Sequence, residues 1–399
     1  MKYLFSLFFL FFSLSINSQT FQTGTITVTF NDPSRTGGFG SGGGPGRQIQ
    51  TEIYYPASVS GSNVAVAIGS FPVVVIGHGF VMDWSSYDNI YSTLSKRGYI
   101  VALPRTEGGF SPNHSDFGKD LALVGDKMLQ LNTTNTLVPN FIGKVIQKLA
   151  ISGHSMGGGS SFLGASNNVN LTCLFNFAAA QTTPRSSQAA KTVTVPTLII
   201  SGKNDCVAPL ITNQLQMWDS TASNKKFLVN IKNLTHCDFG NGSNFNCTFG
   251  QSTSGCSNTI PNATALKLYM NFVNPFLDAN LKGDCTAANQ FMDSLNLSQV
   301  IFSKNILGSL ACNLSSSSNL NKFNREIKIY PNPTTSRLSI ESESDFQLKL
   351  FSVEGKQLDF EYIRNNSGYE LDLSKFDKGI YFLGLSNQNF NFTKKVILE

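Results

Sequence analysis

Short, mostly apolar runs recur along the first three quarters of the chain, separated by stretches with helical spacing. Residues 71–76 are apolar without a gap and stop at Gly77; 99–103, 149–152, 174–180, 197–201 and 226–231 are similar. Runs of this length, bounded by turn residues, predict strands buried on both faces. Between them, 88–96, 118–131 and 264–277 place apolar residues three and four apart, which predicts helices. Strands alternating with helices predict an α/β fold, a mostly parallel sheet covered on both sides. Residues 37–46 are dominated by glycine, but no Gly-Lys-Ser/Thr follows, so they read as a flexible hairpin or surface loop rather than a phosphate cradle.

The pattern changes near residue 313. Ser315 to Ser318 are consecutive, and 313–323 read as a Ser/Asn-rich linker. Beyond it, 324–399 carry short alternating segments at 327–330, 338–340, 347–351, 369–373, 380–385 and 392–398. Pro331-Asn332-Pro333, Glu354-Gly355 and Lys378-Gly379 supply the turns, so a small all-β sandwich is expected here. At the other end, Met1-Lys2, an apolar stretch over 3–14 and small residues to Ser18 predict a secretory signal peptide over 1–18. The apolar stretch is shorter than the roughly 20 residues that span a bilayer. The α/β domain would then occupy 19–312.

Composition adds little against this picture. Charged residues make up 14% of the 399, below the roughly 25% of ordinary soluble domains, and the net charge of +5 is spread thinly. No Lys/Arg run offers a phosphate-binding patch, so nucleic acid is not an expected partner. Stable membrane insertion is not expected either, and a monomer is the default. None of the seven cysteines forms a Cys-x-x-Cys pair, so no zinc or redox motif is indicated. In an exported chain six can pair. Proximity suggests Cys206–Cys237, Cys247–Cys256 and Cys285–Cys312, leaving Cys173 as a small buried side chain.

The chemistry concentrates at Gly153-His154-Ser155-Met156-Gly157, followed by two more glycines. A strand precedes this Gly-x-Ser-x-Gly and a small-residue helix start follows it, the setting of the nucleophile elbow in the α/β-hydrolase fold. A serine hydroxyl needs a base. In this fold the acid and then the histidine follow the serine, and His236 is the only one of the four histidines after Ser155. The acid must lie between them at a strand end. Asp205, after the strand 197–201, fits; Asp219, in a helix-like stretch, reads as a solvated charge. The oxyanion needs backbone N–H donors. Met156, after the nucleophile, is one, and Phe80 in Gly77-His78-Gly79-Phe80 is the other, with Phe80 and Met156 forming an apolar wall beside the reacting carbonyl. His78 would shape that loop.

Together with Asn204-Asp205-Cys206-Val207-Ala208-Pro209 and Thr235-His236-Cys237, these motifs resemble the bacterial cutinases and polyester hydrolases, the poly(ethylene terephthalate) hydrolases among them, over about 20–312. The resemblance implies Ser155 as nucleophile, Asp205 as acid, His236 as base, Phe80 and Met156 as oxyanion donors, and Phe80, Met156 and His154 as substrate contacts. It implies no cofactor and no metal, and it matches Cys285 and Cys312 to a terminal disulfide. Where the family often has Tyr, Phe80 stands. The segment from Ala180 to Arg185 lacks the family's Trp, which predicts weaker binding of aromatic units. Tyr330-Pro331-Asn332-Pro333-Thr334, Gly379-Ile380-Tyr381-Phe382 and Lys394-Lys395-Val396 resemble the type IX secretion sorting domain of Bacteroidetes, implying the secretion machinery as a partner and an extracellular or cell-surface destination. The expected function is ester hydrolysis on polyester or cutin-like substrates. Small-ester or lipid hydrolysis of the chlorophyllase or feruloyl esterase type, and a non-catalytic binding protein on a hydrolase scaffold, remain alternatives.

Overall fold

A computed structural model describes residues 20–134, 137, 139–166, 168–256, 260–295, 302–312, 328–342, 345–352, 356–365, 367–387 and 390–399. The signal-peptide and linker expectations fall outside them. The chain divides into two compact units, Met1–Cys312 and Asn313–Glu399.

In the first unit, β1 (Gln22–Asp32), β2 (Gly38–Phe39), β3 (Arg47–Ala57), β4 (Gly61–Ser62), β5 (Phe71–Gly77), β6 (Ile100–Pro104), β7 (Val145–Gly153), β8 (Leu171–Phe177), β9 (Thr197–Gly202), β10 (Lys226–Ile231) and β11 (Phe302–Leu307) form one sheet. Its order is β11-β10-β9-β8-β7-β5-β6-β3-β1-β4, with β2 on β3. Strands β10 to β6 in this order are parallel, whereas β3 runs against β6 and β1 against β3. The glycine-rich stretch joins β1 to β3, as a hairpin connection would.

Among the described residues, eight helices accompany the strands: α1 (Asp88–Lys96), α2 (His114–Gln130), α3 (Met156–Ala165), α4 (Ser186–Ala189), α5 (Gln214–Ser220), α6 (Phe245–Thr253), α7 (Asn262–Lys282) and α8 (Cys285–Ser294). Side chains alternate across a strand. Val73 and Val75 therefore join Phe117, Leu121, Val124 and Met128 of α2 in one core, while Val74 and Ile76 join Ile90 and Leu94 of α1 and Tyr269 and Val273 of α7 in the other. After β5 the chain crosses by α1 to β6 on one side, then by α2 to β7 on the other. That reversal opens a crevice at the carboxyl ends of β5 and β7, where open α/β sheets take their ligands.

Helix α2 begins a turn earlier than the periodicity shows. Asn113 caps it, its side chain accepting from the Asp116 amide. The segment 178–180 is not strand, since β8 ends at Phe177.

Two of the expected disulfides are corrected. The bonds are Cys206–Cys256, Cys237–Cys247 and Cys285–Cys312, with Cys173 free and buried. Proximity failed because 206 and 237 sit at the ends of neighbouring strands and both face the segment around α6.

The second unit holds two four-stranded sheets. One is β12 (Lys328–Tyr330), β13 (Arg337–Glu341), β17 (Gly368–Asp372) and β16 (Glu361–Asn365); the other is β15 (Gln357–Leu358), β14 (Gln347–Phe351), β18 (Gly379–Asn387) and β19 (Phe390–Leu398). Leu338, Ile340 and Leu371 of the first share a core with Leu350, Leu383 and Val396 of the second, which makes a sandwich. No described helix is long and apolar enough to cross a membrane.

Candidate active site

Residues Gly77 and Gly153 lie opposite each other in the β5–β7 ladder, so the loops that follow leave the sheet side by side. Ser155 follows at φ 55° and ψ −119°, a left-handed value that L-residues rarely adopt. Three backbone bonds hold it there. Its N–H donates to Phe177 O at 3.0 Å, and its carbonyl accepts from Gly159 and Ala180 at 3.0 and 2.9 Å. The turn is close enough to require glycine. A Cβ on Gly157 would lie 2.3 Å from Gly77 O, and one on Gly153 would lie 2.3 Å from the Gly157 carbonyl carbon.

His236 stands on a short 3-10 turn, His236–Phe239, after β10. Thr235 and Asp238 cap that turn reciprocally: the Thr235 N–H and hydroxyl donate to Asp238 Oδ2 at 2.6 and 2.7 Å. Burial pushes the Asp238 carboxyl up despite these bonds. His236 Nδ1 donates to Asp205 Oδ2 at 2.8 Å, and Nε2 is 2.8 Å from Ser155 Oγ. With Nδ1 carrying its proton, Nε2 is left to accept from the serine hydroxyl. The other oxygen of Asp205 accepts from the Val207 and Ala208 amides at 2.9 and 2.8 Å, so the carboxylate is fixed on both sides. The structure therefore brings Ser155, Asp205 and His236 together in hydrogen-bond contact. Asp219 lies exposed on α5.

The loop after β5 runs against the first turn of α3, since a Gly157 Cβ would also meet His78 O at 2.5 Å. The amides of Phe80 and Met156 have no acceptor among the described residues. Val81, next to Phe80, holds φ 52°, a strained value for a β-branched residue. His78 shapes this loop as expected: its ring nitrogens meet Gly79 O and Thr106 O, each at 2.9 Å. Burial lowers its proton affinity.

Two of the expected substrate contacts, His154 and Met156, lie buried. His154 is wholly buried. Its Nε2 donates to His236 O at 2.9 Å and its Nδ1 accepts from Tyr87 Oη at 2.9 Å, while that oxygen accepts from Gly79 N at 2.9 Å. Both nitrogens are taken, so His154 is a strut beneath the site. Burial, and then the neighbouring His236, hold its pKa well below the ordinary value. Met156 is 4% exposed and belongs to the core under α2 and α3. Phe80 is 50% exposed. Tyr87 was not legible as part of the site, because nothing local in the sequence marks a tyrosine that reaches across to another loop.

Residues 15–253, more than half of the chain, match the profile described as PET hydrolase-like. The chain belongs to the PET hydrolase-like family. Among similar proteins, Cutinase est1 of Thermobifida alba is 28% identical over 217 residues, covering 54% of this chain and 64% of its own. The bis(hydroxyethyl) terephthalate hydrolase of Streptomyces coelicolor is 25% identical over 242 residues, covering 60% and 64%. Chlorophyllase-2 of Arabidopsis thaliana is 30% identical over 112 residues, covering 27% and 35%. The chain thus spans just under two thirds of the length of the first two. Within the PET hydrolase-like match lie Phe80, Ser155, Asp205 and His236; α7, α8 and β11 lie beyond it. Residues 328–399 match the secretion system C-terminal sorting domain, and the protein is secreted.

Proposed function

We propose that this protein is a secreted serine carboxylester hydrolase that acts on polyester or cutin-like esters through an acyl-enzyme. The unbroken contact from Asp205 through His236 to Ser155 carries the reading. In it, Ser155 Oγ attacks the ester carbonyl while its proton passes to His236 Nε2. Asp205 holds the imidazolium that forms. The Phe80 and Met156 amides, both without acceptors among the described residues, receive the oxyanion. His236 then protonates the leaving alkoxide, and water releases the acyl group by the same steps in reverse order.

The surroundings support a bulky apolar substrate. Phe80, Phe110, Phe245 and Phe249 are exposed, and each lies on a segment leaving the carboxyl end of a parallel strand. Phe245 and Phe249 stack with ring centroids 5.9 Å apart. The sandwich would carry the chain to the type IX secretion machinery.

The test is hydrolysis of a short-chain nitrophenyl ester, followed by product release from a polyester film, with Ser155→Ala beside the parent. Turnover of both substrates is expected. The variant should lose roughly four orders of magnitude or more with its circular dichroism unchanged. Turnover of the nitrophenyl ester alone would move the substrate to small esters or lipids. Activity surviving in Ser155→Ala would end the assignment.

A further inference from the structure

The segment that follows His236 does not simply leave the site. It runs along the segment that follows β5, and asparagine side chains knit the two together. Asn89 Nδ2 donates to Gly240 O at 3.1 Å, Asn241 Nδ2 to Ser85 O at 2.9 Å, Asn244 Nδ2 to Ser86 Oγ at 3.1 Å, and Asn246 Nδ2 to Val81 O at 3.0 Å. The Asn241 backbone adds a bond to Ser86 O at 2.8 Å. Helix α6, which carries Asn246, is itself fixed. Cys247, within it, is bonded to Cys237 beside His236, and Cys256, just past its end, to Cys206 beside Asp205. Buried Gln251 accepts from the Cys237 amide at 2.9 Å. One short helix therefore reaches the acid loop, the base loop and the loop of Phe80.

The last of these contacts falls where the backbone is least able to hold itself. Val81 at φ 52° would relax toward negative φ if nothing opposed it. Such a change would rotate the peptide units on either side of Val81, including the one adjoining Phe80. The other bonds on this loop fall on Gly79: its O accepts from Met82 N–H at 3.1 Å and meets His78 Nδ1, and its N–H donates to Tyr87 Oη. We propose that Asn246 is a positioning residue, its amide holding the strained Val81 peptide so that the Phe80 N–H faces the developing oxyanion. The proposal rests on the esterase reading above. It goes beyond it in making the oxyanion geometry depend on a helix that Cys237–Cys247 ties to the base loop.

The chemistry ranks the substitutions. Asn246→Ala removes the donor. Asn246→Asp keeps the shape but sets a carboxylate against a carbonyl oxygen. A residue that merely filled space would tolerate Asp better than Ala, whereas a donor would not. On a nitrophenyl ester, Asn246→Ala should lower kcat roughly three- to tenfold, the worth of one such hydrogen bond, with KM nearly unchanged. Asn246→Asp should be at least as low. The pH profile should not move. Asn241→Ala, whose bond lies farther along at Ser85, should cost less than Asn246→Ala.

Hydrogen exchange supplies a readout that does not need turnover. Amides over 79–82 should exchange faster in Asn246→Ala than in the parent. Unchanged exchange there, or a kcat within error of the parent in Asn246→Ala, or Asp outperforming Ala, would overturn the proposal. An inactive parent with faster exchange in the variant would sink the esterase reading instead, leaving the restraint on Val81 in place.

Discussion

At Ser155 the backbone is held in a conformation that costs on the order of 1–3 kcal/mol, and three hydrogen bonds from β8, α3 and Ala180 over-determine it. The side chain is thereby lifted off the strand to meet His236. Beneath it, His154 and His78 are buried, and burial holds their pKa values below the ordinary 6.5. The unfolded chain takes up these protons as pH falls through 6.5, and the native state does not. Stability is therefore full above that pH and declines below it, until the folded pKa values are reached. Each histidine contributes up to about 1.4 kcal/mol per pH unit. Burial alone would raise the carboxyls of Asp32 and Asp278, but bonds from Ser34 and Arg35, and from Lys282 and Tyr99, bring both below 3.8. Their contribution is lost only as pH falls further, below the histidine window. Urea unfolding between pH 7.5 and 5 should show the decline, and equal stability across that range would contradict it. That Ser155, Asp205 and His236 come together was open to sequence reasoning because order along the chain and a scarcity of histidines restrict the choice. The orientation of His154 was not, since it depends on Tyr87 and on a carbonyl that arrives 82 residues later.

Among elements, α6 was one that sequence pattern missed. Its residues, Phe-Asn-Cys-Thr-Phe-Gly-Gln-Ser-Thr, are mostly poor helix formers, and it is held by its bridges and by the Asn244 cap rather than by propensity. The long pair β1 and β3 was missed for a different reason. Ile26, Val28 and Phe30, and Ile49, Ile53 and Tyr55, keep to one phase of a period of two, a signal that was present but interrupted by threonines and charges. The parallel strands were legible because burial on both faces leaves no room for polar residues. The two bridges around α6 close loops of very different length, separated by 50 and 10 residues. Loop-closure entropy gives them about 4 and about 3 kcal/mol respectively. Replacing Cys206 and Cys256 by alanine should therefore lower stability to urea more than replacing Cys237 and Cys247. The reverse order would mean that native contacts beside His236 outweigh the chain entropy.

For the whole molecule, the change of pattern near 313 coincides with the division into two compact units, each with its own core. A chain ending at Cys312 keeps the Cys285–Cys312 bridge and every residue of the candidate site. It should hydrolyse a soluble ester at the parent's rate while failing to be exported in a host that uses the sorting domain. Loss of turnover in the purified, folded truncation would place the sandwich in the reaction. The unpaired cysteine matters at this scale as well. Cys173 sits in β8 with no exposed surface, and burial suppresses its thiolate. An odd sulfur in a secreted protein is normally an invitation to disulfide scrambling. Here the central sheet shelters it, so the native molecule withholds its one unbridged thiol from an oxidant, and any shuffling through Cys173 belongs to the interval before the sheet has formed.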